Sequence, residues 1–269
     1  MCQCVPVRVG IVGGTGPLGR GLGLRLAIGG STVVIGSRLA ERAEAVVGEL
    51  RDRWPRHPLP VQGAANEEAV VCDVVVVATP WESVVPTVRL LARDVPRCWD
   101  DKIVICVANA LVKQGREMHA LVPPRGSMAA AVQAELPQAL VAAAGHHLPA
   151  DELENLDASL RSDVLVSSDH VEATRTTMAL LGTILGLRPL DAGSLASAGA
   201  VEAFTAVLVN LNIRYRARSS LHLTGLDHVA TGIAPSQRGE TSGRDAGARL
   251  GNTHLQERRE ASESPGRGQ

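Results

Sequence analysis

The chain has 269 residues, 45% of them hydrophobic, and a formal charge of −1 with acidic and basic residues intermixed. That length and apolar content supply a large core, while the balanced charge lacks the basic footprint of a nucleic-acid or membrane-surface binder. A small soluble ligand is the default partner, with no nucleic acid and no membrane expected.

At the start of the chain no basic segment precedes a long apolar run and a small-residue cleavage site, so no signal peptide is expected. No apolar stretch reaches bilayer-spanning length without interruption by charge or helix breakers, and a cytoplasmic protein with reduced thiols is the reading. Cys2 and Cys4 lack two further ligands nearby, and Cys72, Cys98 and Cys106 are scattered, so no metal is expected.

Residues 1–6 read as an N-terminal extension. Val7 to Val12 is a β-rich apolar run that enters a glycine cluster, and helical periodicity follows at Leu18, Leu22 and Leu26. Between strand and helix stands Gly14-Thr15-Gly16-Pro17-Leu18-Gly19, a G-x-G-x-x-G in the context that gives the pattern meaning. Gly14 allows the tight turn, Gly16 lets backbone approach a pyrophosphate, and Gly19 lets helix and strand pack closely; the helix N-terminus then offers free N–H groups to the anion.

A second run, Thr32 to Ile35, leads into Gly36-Ser37-Arg38 and a polar, alanine-rich helix from about Leu39 to Arg53 that carries Arg42. An NAD enzyme would place a carboxylate here for the ribose hydroxyls. A hydroxyl and two guanidinium groups suit a 2′-phosphate instead, favouring NADP(H), although the same arginines also fit an ordinary solvated helix face.

Pro55, Pro58 and Pro60 then break the chain. Val74 to Val77 and Ile103 to Val107 read as buried strands, separated by a helical segment from Glu82 to Ala92. Thr79-Pro80-Trp81-Glu82 and Asn109 follow these strands and should open onto the ligand crevice. Trp81 suits packing as well as ligand contact, Glu82 suits a helix N-terminal charge, and Asn109 suits a turn.

Val141 to Ala144 and Val164 to Val166 look like further strands. His146 and His147 sit in the loop after the first, where a histidine could donate a proton or a hydrogen bond near neutral pH. Adjacent side chains diverge, so one of the two is expected to face the site. Helices follow at about Glu172 to Leu185 and Gly199 to Arg216; the second is apolar or small almost all round up to Ile213 and should be buried, in part against another subunit.

Alternation of strand and helix gives an α/β, Rossmann-type doubly wound, mainly parallel sheet with a small C-terminal helical part. The expected boundaries are 7–168 for the nucleotide-binding domain and 169–226 for a helical substrate or dimer part. From about Asp227 to residue 269 the composition is too polar to repay ordering, and a disordered tail is expected.

Taken together, Gly13 to Leu22, Gly36-Ser37-Arg38, Thr79 to Glu82, Ala144 to Ala150 and Gly186-Leu187-Arg188-Pro189-Leu190-Asp191-Ala192-Gly193 resemble the NADPH-dependent coenzyme F420 reductases over residues 7 to 226. The resemblance implies a homodimer that exchanges hydride reversibly between C4 of the nicotinamide and C5 of the deazaflavin. It implies NADP contacts from Thr15, Gly16, Pro17, Leu18, Ser37, Arg38, Arg42, Thr79, Asn109 and Ala150, with Pro80 and Trp81 beside them. His146, Leu148, Pro149 and Ala150 are implied where the two rings meet, His146 and Ala150 nearest the chemistry, and the segment from Gly186 to Leu195 with the helix after it would wall the deazaflavin pocket. The runner-up readings are an NADP-dependent imine or carbonyl reductase and a non-catalytic NADP(H) sensor.

Overall fold

The computed structural model describes residues 7–226; the extension expected over 1–6, with Cys2 and Cys4, and the tail expected over 227–269 lie outside them. The chain runs β1 (Arg8–Val12), α1 (Pro17–Ile28), β2 (Thr32–Ser37), α2 (Ala40–Arg53), β3 (Val61–Ala65), α3 (Asn66–Ala69), β4 (Val74–Val77), α4 (Trp81–Asp94) and β5 (Ile103–Cys106). It continues through β6 (Leu111–Gln114), β7 (Glu117–Ala120), α5 (Met128–Glu135), β8 (Leu140–Ala143), α6 (Ala150–Glu154), β9 (Ser162–Ser168), α7 (Val171–Gly182), β10 (Leu187–Asp191) and α8 (Ala198–Tyr215).

Among the described residues one eight-stranded sheet has the order β10-β9-β8-β5-β4-β1-β2-β3. From β3 to β8 every pairing is parallel; β9 is antiparallel to β8, and β10 is parallel to β9. Alternate residues of a strand face opposite sides, and both sides are covered: Val74 and Val76 join a cluster with Leu22, Leu26, Val47 and Met178, whereas Val75 and Val77 join one with Val84, Val88 and Val132. Burial on both faces is why these strands read as unbroken apolar runs.

The strand order reverses between β1 and β4, so their carboxyl ends diverge into a crevice at the switch point. Both the Gly14 loop and Thr79 stand there.

Some elements carry little sequence signal. β3 has a single β-branched residue, Val61, and follows three prolines; it holds the sheet edge because Gly63 lets α2 approach, a Cβ there falling 2.3 Å from the Ala43 carbonyl carbon. β10 contains Pro189 and adds one strand to the mainly helical part expected over 169–226. Its edge position explains the proline, which needs no partner for a missing N–H there.

Candidate functional site

A cleft of about 730 Å³ opens at the switch point, lined by Gly13, Thr15 to Leu18, Ser37, Arg38, Arg42, Asn66, Thr79 to Ser83 and Val107 to Asn109, among others. That volume is typical of a small-molecule site. Of the expected nucleotide contacts, Thr15, Gly16, Pro17, Leu18, Ser37, Arg38, Arg42, Thr79, Pro80, Trp81 and Asn109 all stand on its wall.

The three motif glycines divide the work. A Cβ on Gly14 falls 2.8 Å from the Ile11 carbonyl oxygen and one on Gly19 falls 2.6 Å from the Gly14 Cα, so both serve turn and packing. Around Gly16 nothing lies within 4 Å of a Cβ, and the open space is the cleft itself. Gly16 caps α1 with no side-chain bond to the helix, and the first turn holds no acid, so the N–H groups and positive end of α1 face the cleft unneutralised. This is a cradle that fits a pyrophosphate.

At the other end, Ser37 is buried at the end of β2 with its Oγ 3.4 Å from the Leu39 N–H. Arg38 and Arg42 are exposed, and neither has an ion-pair partner among the described residues. Among the described residues that line the cleft, Glu82 of α4 is the one carboxylate. The donor set fits a phosphate monoester on a ribose.

Asn66, which the sequence offers only as a residue after two alanines, has a role on this wall. Its Oδ1 accepts the Gly13 N–H at 3.1 Å and so pins the glycine loop from α3. Trp81 is fixed through Nε1, which donates to the Leu111 carbonyl at 3.1 Å, and Glu82 is exposed in the first turn of α4, as its helix-terminal reading expects.

The segment expected at the ring junction lies behind Asn109 rather than on the cleft wall. Asn109 Nδ2 donates to the His146 carbonyl at 2.8 Å, and Thr205 Oγ1 on α8 lies 3.1 Å from that carbonyl and 3.3 Å from Asn109 Oδ1. Leu148 is a core residue, Pro149 caps α6, and Ala150 begins it, both of these partly exposed.

The two histidines diverge. His147 turns to the sheet, with Nε2 2.7 Å from the Asp163 carbonyl of β9. His146 is 2% exposed, and neither ring nitrogen has a hydrogen-bond partner among the described residues. Burial first, then the neighbouring His147, push its pKa down to about 3, with the nearby backbone of Ala108 and Val107 opposing in part. An imidazole so buried is uncharged at neutral pH and can donate a hydrogen bond.

Within the single chain only part of α8 is covered: Phe204, Val207, Leu211, Ile213 and Tyr215 are exposed, Tyr215 at 70%. The stretch Leu195–Tyr215 is long and apolar enough to cross a membrane by composition alone, yet its inner face is polar and engaged. Glu202 accepts the Met128 N–H at 2.8 Å, and Asn210 exchanges two hydrogen bonds with the Met118 backbone of β7.

The family model for coenzyme F420-dependent NADP oxidoreductases matches residues 8–110. The chain is 31% identical over 236 residues to an F420-dependent NADP reductase of Methanothermobacter thermautotrophicus, covering 84% of this chain and 98% of the relative. A protein of the same name from Methanocaldococcus jannaschii is 31% identical over 227 residues, covering 82% and 100%. Among solved structures, a candidate F420-dependent NADP reductase of Arthrobacter sp. FB24 superposes with a TM-score of 0.66 at 23% identity, covering 81% of this chain and 99% of that one.

Proposed function

The chain belongs to the coenzyme F420-dependent NADP oxidoreductase family, and on that premise we propose that it transfers hydride reversibly between C4 of NADPH and C5 of the F420 deazaflavin. When bound, the two rings would supply the redox chemistry, a hydride passing from one carbon to the other and the reduced deazaflavin taking its balancing proton from water. The protein's task is to bind, orient and exclude water.

The observation that carries this reading is the open face over Gly16 at the N-terminus of α1, with Arg38 and Arg42 on the wall of the same cleft and without ion-pair partners among the described residues. In the proposal Gly16 to Leu18 hold the pyrophosphate, and Ser37, Arg38 and Arg42 hold the 2′-phosphate. Thr79, Pro80, Trp81 and Asn109 flank the nicotinamide.

His146 is proposed as a neutral hydrogen-bond donor at the ring junction, with Leu148, Pro149 and Ala150 setting the approach of the second ring.

We also propose a cytoplasmic homodimer formed through the exposed apolar face of α8. The row Phe204, Val207, Leu211 and Tyr215 recurs at helical spacing, and Phe204 and Leu211 are a full two turns apart on one side.

Stopped-flow absorbance tests the reaction. Mixing enzyme and NADPH with oxidised F420 should bleach the deazaflavin band rapidly, and NADH should bleach it slowly. NADPH binding without bleaching would overturn the assignment.

A further inference from the structure

Arg25 lies in the second half of α1, is 9% exposed, and has no carboxylate partner among the described hydrogen bonds. Its guanidinium is spent on backbone instead. Nε donates to the Leu153 carbonyl at 3.0 Å, and Nη2 is shared among the carbonyls of Glu152 at 3.0 Å, Asn155 at 2.5 Å and Ala158 at 2.9 Å.

Those four carbonyls belong to the last turn of α6 and the loop that leaves it. A five-residue helix cannot satisfy its own C-terminal carbonyls, and burying them without donors is costly. The cation therefore takes the place of a C-cap for α6. The same helix pair meets backbone to backbone: a Cβ on Gly21 falls 2.6 Å from the Leu153 Cβ and 2.8 Å from the Glu154 nitrogen, and Leu153 is fully buried. Arg20 adds a second tie, to the Glu154 carboxylate at 3.0 Å.

The α1 helix thus has two ends with two duties. Its N-terminus faces the cleft at Gly16, and its C-terminal half grips the short helix that begins at Ala150. We propose that Arg25 is a positioning residue for hydride transfer: by clamping α6 to the helix that holds the pyrophosphate, it fixes the His146–Ala150 segment relative to the bound nucleotide. The proposal rests on the placement of that segment at the ring junction given under Proposed function. Burial of the guanidinium lowers its pKa while Glu152 raises it.

The test uses full-length Arg25→Met, with Arg25→Lys as the milder variant, and three readouts: NADPH affinity by fluorescence, the single-turnover rate of F420 reduction, and hydrogen exchange of amides 150–158 in the NADPH complex. A displacement of about 1 Å far from the chemistry can cost up to about 100-fold in rate. Arg25→Met should therefore slow the transfer by about tenfold or more and speed exchange of the segment, with NADPH affinity changed by less than about threefold; Arg25→Lys should fall between. If rate and exchange match the parent protein, or if NADPH affinity falls in parallel with rate, the positioning role is overturned. A parent protein that binds NADPH but leaves F420 untouched would refute the reaction, while exchange of 150–158 would still decide whether Arg25 clamps α6.

Discussion

Replacing Arg38 and Arg42 together by alanine isolates the 2′-phosphate, the one group that separates NADPH from NADH. A hydrogen bond to a charged group contributes about 1.5–3 kcal/mol when well shielded, but both arginines are exposed on an open cleft, where solvent and salt screen the charge. Discounting each to about 1–1.5 kcal/mol, the pair contributes about 2–3 kcal/mol, equivalent to about 30- to 150-fold in NADPH affinity. NADH makes no such contact and should change by less than about threefold. Calorimetric titration of both nucleotides at two salt concentrations reads the difference directly. The parent's NADPH affinity should fall with salt more steeply than the double variant's. Equal weakening of NADPH and NADH, or none of either, would refute the assignment of this corner to the phosphate.

The glycine loop separates binding from folding: Gly16→Val projects into empty cleft and should leave the melting temperature unchanged while abolishing NADPH binding, whereas Gly19→Ala meets the Gly14 backbone and should lower both. Normal NADPH affinity in Gly16→Val would remove the cradle. His146, held near 3 when folded against an ordinary 6.5, costs the folded state stability as pH falls below 6.5, because the unfolded chain takes up the proton first. His147 acts with the same sign, and Glu202, raised to about 7 chiefly by burial, acts with the opposite one, its contribution falling as pH rises from 4.5. Comparing His146→Gln with the parent cancels both: between pH 7 and pH 5 the parent should lose up to about 2 kcal/mol more in denaturant unfolding, and equal losses would show that the His146 ring protonates freely. Leu211→Glu should convert the proposed dimer to monomer in sedimentation; a parent protein already monomeric would refute the α8 interface.

The parallel core was legible because burial on both faces leaves a plain imprint, as at Val74–Val77, and because the Gly14–Gly19 motif has one physical solution between a strand and a helix. The elements that escaped are those whose stability comes from their neighbours. β10 tolerates Pro189 only because it is an edge, and β7 owes its place to Asn210, whose amide supplies the bonds a third strand would give. The glycines and arginines of the cleft wall could be picked out residue by residue, since charge and small size are sequence properties. The contacts behind that wall could not, because Asn109 and Thr205 meet on the His146 carbonyl, and backbone contacts leave no side-chain signature. Asn66 and Arg25 were silent for the same reason, both acting on main-chain atoms.

The most direct test of hydride exchange is isotopic. Enzyme, oxidised F420 and NADPH deuterated at C4 on the transferred face should yield reduced F420 carrying one deuterium at C5 in ordinary water, read by mass spectrometry. Reduced F420 without deuterium from labelled NADPH, its C5 hydrogen drawn instead from solvent, would contradict direct transfer between the two rings.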